Sequence, residues 1–355
     1  MKSVLLCSTS PIKSNALIQF LQEQDLITTT LKTFNCDSLK LPPQPVNSAK
    51  QCAKARLEYA KASNVEEYDY YISIENGLMN GFNGPNTYYS DISDECYVIV
   101  EHNGIMAIGH DIIEIPDEYA DFLPDEMDHD LGHSITFGEL LQKDYPDIDP
   151  KNWMKTICNY DRTTMILKAL KHAFQHLEEQ QKRINRVIST YKAYPDFPKP
   201  GVLFQDIFAV LANNKALLSL CDIMKNRYHL DKLDYVVGLE SRGFFGVLLA
   251  KDLGIGFIPV RKAGKLPGQV ERVEYGTEYS KDVCEMSVNI PEGSRVLVFD
   301  DLVATGGSLK AAVTLLTKLK CNVVDLCVLR EVVNLRQKAK ETLGMKYTVL
   351  LQTVV

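Results

Sequence analysis

Apolar residues along this chain come in two periods, and the two alternate. Val4-Leu5-Leu6-Cys7, Tyr70-Tyr71-Ile72-Ser73-Ile74, Tyr235-Val236-Val237-Gly238-Leu239, Phe257-Ile258-Pro259-Val260 and Val296-Leu297-Val298-Phe299 are short and nearly continuous. Such runs predict strands buried on both faces, as in a parallel sheet. Between them lie stretches with helical spacing, at Ala16–Leu21, Ser48–Ala62 and Leu309–Leu319. Asp94–Val100 and Ile105–Gly109 flank Asn103-Gly104. That dipeptide suits a two-residue turn, so the flanking runs are expected to pair antiparallel. Further strands are expected at Val323–Leu329 and Tyr347–Leu351. In 111–149 the acids have one cation for company, Lys143, and a solvated, loop-rich excursion is expected there.

This alternation predicts an α/β protein. A length of 355 residues calls for two domains. The polar stretch Glu178–Arg183 has helical composition and no Gly/Ser linker, so we place the domains at 1–177 and 178–355. Hydrophobic residues make up 45% and charged residues 24%, the balance of a globular protein without a membrane span. Met1–Cys7 reads as a first strand rather than a leader peptide. The nine cysteines follow no C-x-x-C spacing, as expected of reduced thiols and a cytoplasmic protein. A net charge of −7 argues against nucleic acid as partner.

Candidate chemistry gathers after the run Val296–Phe299. Asp300-Asp301 ends the strand, and Ala304-Thr305-Gly306-Gly307-Ser308 leads into a helix. A glycine turn before a helix N-terminus presents converging N–H groups to an anion. Neither Gly-Lys-Ser/Thr nor G-x-G-x-x-G is present. Two carboxylates beside a phosphate suit a sugar phosphate, whose hydroxyls or magnesium ion they hold. Upstream, Glu240-Ser241-Arg242-Gly243 follows a strand, and Arg can grip a pyrophosphate bidentately. Arg261, Lys262 and Lys265 form a second cationic segment.

The stretch Asp300–Ser308 resembles the phosphoribosyl-pyrophosphate (PRPP) signature of the type I phosphoribosyltransferases. The C-terminal half as a whole resembles adenine phosphoribosyltransferase. Three segments appear in the family's order: the proline-rich Tyr194–Ile207 with Gly-x-x-Phe-x-Asp-Ile, Glu240–Gly243, and Arg-Lys-x-Gly-Lys-Leu-Pro at Arg261–Pro267. The resemblance implies a type I phosphoribosyltransferase fold, Mg²⁺ as cofactor, and formation of AMP and pyrophosphate from adenine and PRPP. It assigns the 5-phosphate to Ala304, Thr305, Gly306, Gly307 and Ser308. Asp300 and Asp301 would hold the ribose hydroxyls and, through PRPP, the metal. Glu240, Ser241, Arg261 and Lys262 complete the PRPP site, and a strained peptide is implied at Glu240–Ser241. Arg242 and Lys265 would stabilise the leaving pyrophosphate. Of two flap pairs, Glu274-Tyr275 and Glu278-Tyr279, spacing favours Glu278 as the catalytic glutamate acting on a purine proton. Val202, Leu203, Phe204 and Gln205 would meet adenine, Gln205 standing where the family has Arg. A homodimer through this domain is also implied. Other readings are a PRPP-sensing regulator and a transferase for another purine.

The N-terminal half carries Ser8-Thr9-Ser10-Pro11-Ile12-Lys13, a basic helix with Lys50, Lys54, Arg56 and Lys61, and Ile74-Glu75-Asn76-Gly77. Hydroxyls, a helix start and Lys13 could hold phosphates, but this segment by itself favours a plain N-cap with an exposed lysine. Glu75 is expected at a strand's C-terminal end before a glycine turn, where α/β enzymes place metal ligands. In this order the elements resemble the inosine/xanthosine triphosphatase family over about residues 3–175. The resemblance implies purine triphosphates as substrates, Ser8, Thr9 and Lys13 at the phosphates, and Glu75 on magnesium. It also places Arg56 or Lys54 near the triphosphate, and Arg162 at the late basic position. The sequence departs from the family at Thr156–Tyr160 and at Met165-Ile166-Leu167. A nucleotide-binding regulator without catalysis is the alternative. His129 with His133, and His172 with His176, lack a third ligand at a telling spacing.

Overall fold

The computed structural model describes residues 2–24, 30–64, 66–80, 92–122, 128, 130–197, 200, 203–240, 245–277 and 280–351. Two compact units result, Met1–Gln180 and Gln181–Val355. The candidate join Glu178–Arg183 is helical throughout.

Unit 1 runs β1 (Ser3–Leu6), α1 (Pro11–Glu23), β2 (Thr30–Thr33), β3 (Gln44–Pro45), α2 (Ala49–Ser63), β4 (Tyr70–Asn80), β5 (Ile92–His102), β6 (Ile105–Glu114), β7 (Gly132–His133), α3 (Phe137–Asp144), α4 (Trp153–Ile157) and α5 (Arg162–Thr190). Its main sheet has the order β2-β1-β4-β5-β6. β1 is parallel to β2 and β4, while β4, β5 and β6 form an antiparallel meander. Asn103 and Gly104 both have positive φ, 51° and 75°, the conformation their hairpin turn needs.

Side-chain alternation sorts this sheet into two faces. Ile74, Val98 and Gly109 are cross-strand neighbours and share one face. A Cβ on Gly109 would collide with the backbone of Ala169 and Ala173, so α5 lies directly on that face. Leu17 and Phe20 of α1, with Met165 and Leu170 of α5, close the core there. On the opposite face a Cβ on Gly77 would meet Pro45 and Ala49, where α2 begins.

Two expectations for this unit are corrected. The acidic stretch is not all excursion: α3 starts with a capping box between Thr136 and Glu139 and buries Phe137 and Leu141 completely. Glu75 does not end its strand. β4 continues through Gly77 to Asn80 because β5 pairs with it along the whole length. Gly77 serves the close approach of Pro45 rather than a turn.

Unit 2 runs β8 (Lys192–Pro195), β9 (Leu203–Asp206), α6 (Phe208–Leu211), α7 (Asn214–Tyr228), β10 (Tyr235–Leu239), α8 (Gly246–Leu253), β11 (Gly256–Lys262), β12 (Val270–Thr277), β13 (Ser280–Ser287), β14 (Arg295–Val303), α9 (Gly307–Lys318), β15 (Asn322–Glu331), α10 (Arg336–Leu343) and β16 (Thr348–Val349). The sheet order is β12-β13-β11-β10-β14-β15-β16. β11, β10, β14, β15 and β16 are parallel, and β12–β13 is an antiparallel hairpin added beyond β11. The segment expected as a flap is therefore sheet on both sides of residues 278–279.

The core of unit 2 lies between the parallel strands and the helices. Val296 to Phe299 are fully buried, as their unbroken apolar run anticipates. Leu309, Ala312, Leu315 and Leu316 of α9 lie at 0–1% exposure in the same core. All parallel strands point one way, so the segments after β10, β11 and β14 open on one edge of the sheet. In open α/β sheets that edge carries ligands.

Candidate functional sites

In unit 2 the site is built at the end of β14. Asp300 and Asp301 are each 8% exposed. The Asp300 carboxylate accepts the backbone N–H of Asp301 at 2.9 Å. Gly306 then adopts φ 84°, a left-handed conformation, and α9 begins at Gly307. No side chain caps this helix start, and Gly306 accepts the Lys310 N–H through its backbone at 2.9 Å. Donors at the start of α9 thus face the turn Ala304–Ser308, the anion site expected from the sequence. Hard carboxylate oxygens such as these suit Mg²⁺.

Tyr275 of β12 lies near Ser308 and Asp300, and burial, chiefly, holds its phenol above the ordinary range. Sequence reasoning weighed the glutamates of the two Glu-Tyr pairs and passed over this tyrosine. The pairing of β12 with β13, invisible in one-dimensional spacing, brings it to the loop.

The cationic segment sits on two carboxylates. Arg261 reaches Glu240 at 3.1 Å, and the other Glu240 oxygen accepts the Lys262 N–H at 2.7 Å. These contacts hold the Glu240 carboxyl below its ordinary range, the Lys262 N–H contributing most. Glu240, expected to touch PRPP, is thus engaged by the segment that would. Glu285 of β13, at 0% exposure, accepts the N–H groups of Lys265 and Leu266 at 2.7 and 2.8 Å. Its carboxyl is held down at about 2, first by the Gly264 N–H. Lys262 and Lys265 themselves are exposed.

Phe204 and Gln205 lie on β9, where Phe204 pairs with Tyr194 and packs edge-on against Phe197 at 5.1 Å between centroids. Leu203 opens β9 opposite Pro195. Val202, Ser241, Arg242 and Glu278 lie outside the described residues, as does one end of the Glu240–Ser241 peptide.

In unit 1 the structure brings three expected residues together. Lys13 Nζ lies 3.2 Å from Glu75 Oε1, and Arg56 Nε meets Glu75 Oε2. β1 ends at Leu6 opposite Ile72, so Lys13 in the first turn of α1 can reach past it to Glu75. Burial opposes the charge on Glu75, yet its two cations hold the carboxyl below the ordinary range. Burial pulls the Lys13 ammonium down against the pull of Glu75. Ser8 is buried and accepts the Ser10 N–H at 3.2 Å; Thr9 is exposed. Lys54 reaches Glu58 at 3.5 Å instead of the Glu75 cluster.

Asp94 is the residue missed. It lies on the α5 face, accepts from Asn76 Nδ2 at 3.2 Å, and is 4% exposed. Burial pushes its carboxyl up to about 6, against the pull of Arg162 at the start of α5. Its sequence, Ser93-Asp94-Glu95, gave no sign that the acid points inward. Both oxygens of Glu75 are occupied by cations, so a metal ion there would have to displace one. Oxygen ligation suits Mg²⁺. Of the histidines, His172 meets the His110 carbonyl at 2.8 Å and His176 the Ile108 carbonyl at 3.1 Å; His129 is outside the described residues. Among the described residues no group of three or more His, Cys, Asp or Glu is placed to hold a metal, and no helix is long and apolar enough to cross a membrane.

Comparison with known proteins bears on unit 2. The model of the phosphoribosyl transferase domain matches residues 209–350. An adenine phosphoribosyltransferase of Wolinella succinogenes is 43% identical over 179 residues, 49% of this chain and 97% of that protein. One from Acaryochloris marina is 47% identical over 154 residues, 43% of this chain and 91% of that protein. The solved structure of adenine phosphoribosyltransferase from Saccharomyces cerevisiae, complexed with an imino-altritol bisphosphate and adenine, is 38% identical. It covers 48% of this chain and 99% of that one, with a TM-score of 0.46.

Proposed function

Because this chain belongs, through its C-terminal unit, to the phosphoribosyltransferase family, we propose that this unit transfers phosphoribosyl from PRPP to adenine, giving AMP and pyrophosphate. The observation that carries the reading is the end of β14, where paired Asp300 and Asp301 adjoin the left-handed Gly306 turn and the start of α9. The identity to adenine phosphoribosyltransferases across nearly their whole length supports adenine as the base.

Ala304–Ser308 binds the 5-phosphate through backbone N–H groups, and Asp300 and Asp301 fix the ribose hydroxyls. This holds the anomeric carbon in line with the purine nitrogen. Arg242, Arg261, Lys262 and Lys265 take up the charge that develops on the departing pyrophosphate. Mg²⁺, held by Asp300 and Asp301 through PRPP, supplies further neutralisation when bound. Val202, Leu203, Phe204 and Gln205 receive the base, and Glu278 manages the purine proton. The reading includes a homodimer through this unit. The test is turnover of adenine and PRPP by the intact chain, beside hypoxanthine and guanine. AMP formation supports the reading; binding of PRPP without turnover of any purine would leave a sensor.

A second reading concerns unit 1, residues 1–177 by sequence and 1–180 by compactness. Lys13, Glu75 and Arg56 meet in a buried cluster whose charges match a triphosphate and a divalent cation. It acts as a Mg²⁺-dependent hydrolase of ITP, XTP or their deoxy forms. Lys13, Ser8 and Thr9 at the start of α1, with Arg56 and Arg162, bind the phosphates, and Glu75 holds the metal. Assay of the full chain with a purine triphosphate panel tests it. Release of phosphate or pyrophosphate that disappears in Glu75→Gln supports hydrolysis. Binding without release leaves a regulator.

A further inference from the structure

Cations at the end of β11 and on the loop after it are of little use to a pyrophosphate unless that loop holds one shape. Ala263–Leu266 follows β11, whose pairing with β13 has just two rungs, Arg261 with Glu285 and Lys262 with Cys284. Beyond them the Ala263 N–H still bonds to the Val283 carbonyl at 2.9 Å, and Gly264 turns the chain at φ 81°. The turn aims successive N–H groups inward. They converge on one oxygen of Glu285, which takes Lys265 at 2.7 Å and Leu266 at 2.8 Å. The second oxygen takes Arg272 Nε of β12 at 3.0 Å. A carboxylate at 0% exposure is costly unless its oxygens are hydrogen-bonded, and here the loop backbone and Arg272 supply the donors.

We propose that Glu285 is the positioning residue for Lys265, fixing from beneath the loop that presents this ammonium to the pyrophosphate of PRPP. The inference rests on the transferase reading above. Arg261 and Lys262 have their own support in Glu240, at 3.1 and 2.7 Å. Glu285 carries the far half of the segment, to which Arg261 adds one long contact at the Lys265 carbonyl, 3.4 Å, and through Arg272 it ties that half to the hairpin strand β12. Glutamine cannot replace it. Its oxygen can accept from the loop, but its NH₂ group then opposes Arg272. In the flipped orientation the NH₂ group opposes Lys265 and Leu266 N–H.

The test uses the full chain, with wild type first assayed for AMP formation. KM for PRPP, inhibition by pyrophosphate, KM for adenine and the thermal midpoint are measured for Glu285→Gln, Glu285→Asp, Lys265→Ala and the Glu285→Gln/Lys265→Ala pair. Glu285→Gln should raise KM for PRPP and the pyrophosphate inhibition constant about tenfold or more, leaving KM for adenine within about twofold. Glu285→Asp should fall between. Adding Lys265→Ala to Glu285→Gln should cost less than about twofold more, because both changes remove the same ammonium from its place. An unchanged KM for PRPP, a parallel rise for adenine, or multiplicative effects in the pair would overturn the inference. If Glu285→Gln does not fold, Glu285→Asp alone and paired with Lys265→Ala is read by the same criteria. A wild type that forms no AMP defeats the transferase reading instead; pyrophosphate affinities of the same variants by calorimetry then decide the role of Glu285.

Discussion

Lys13 and Glu75 form a salt bridge of 3.2 Å with both side chains 8% exposed, and Arg56 closes on the other carboxylate oxygen. Such a cluster is stable only while complete, because removing one member leaves an uncompensated buried charge. Glu75→Gln should destabilise unit 1 by about 3–5 kcal/mol in the absence of ligand. Tripolyphosphate should then raise the unfolding midpoint of the variant more than that of wild type, since it supplies the lost negative charge. Equal shifts in the two proteins would mean that the cations do not face the anion.

Asp94 gives the pH dependence of the same unit. Its carboxyl, pushed up to about 6 from 3.8 by burial, binds a proton more readily folded than unfolded. The folded state therefore loses stability as pH rises from about 4 through about 6, and the loss is complete above that. Asp94→Asn keeps an acceptor for Asn76 and removes the charge. At pH 7 it should stabilise unit 1 by about 1–3 kcal/mol, with no gain at pH 4. Urea denaturation at the two pH values measures the difference.

For unit 2, changing Asp300 and Asp301 together to Asn preserves shape and removes charge beside the phosphate turn. AMP formation should fall by at least about a hundredfold, roughly 3 kcal/mol of transition-state stabilisation. Near-normal turnover would sink the assignment of PRPP to this loop.

The reading of this unit from sequence rested on runs that are uniform in kind. Val296–Phe299 is buried on both faces, so unbroken hydrophobicity signals it directly, and the loop after it follows at once. Glu75 was found by its motif but assigned to a strand end, since nothing in Glu75-Asn76-Gly77 shows that β5 pairs onward to Asn80. Asp94 and Glu285 escaped notice for a shared reason. Asp94 stands between Ser93 and Glu95, Glu285 between Cys284 and Met286, and the burial of each acid is decided by a helix or a loop distant in sequence. Tyr275 likewise depends on hairpin register.

Glu278→Gln should lower kcat with little change in KM for PRPP, because the task proposed for it is the purine proton. Glu274 of β12, in register with Val283, is the paired control. If Glu274→Gln produces that signature and Glu278→Gln does not, the catalytic glutamate has been placed four residues too late.

Gly109→Ala tests the packing of α5. The new methyl group would press on the backbone of Ala169 and Ala173, which cannot rotate away as a side chain can. A loss of about 1–3 kcal/mol is expected from this overpacking. It would be read from the unfolding midpoint of the full chain.

Gly306 lies close against the last helix of unit 2. A Cβ there would lie 3.1 Å from Leu343 and 3.2 Å from the Ala339 carbonyl, so the phosphate turn is seated against α10. A growing chain that has just made Ala304–Ser308 still lacks that seat, which arrives more than thirty residues later. This turn is thus among the last parts of the unit to be finished during synthesis, after the strand that carries Asp300 and Asp301.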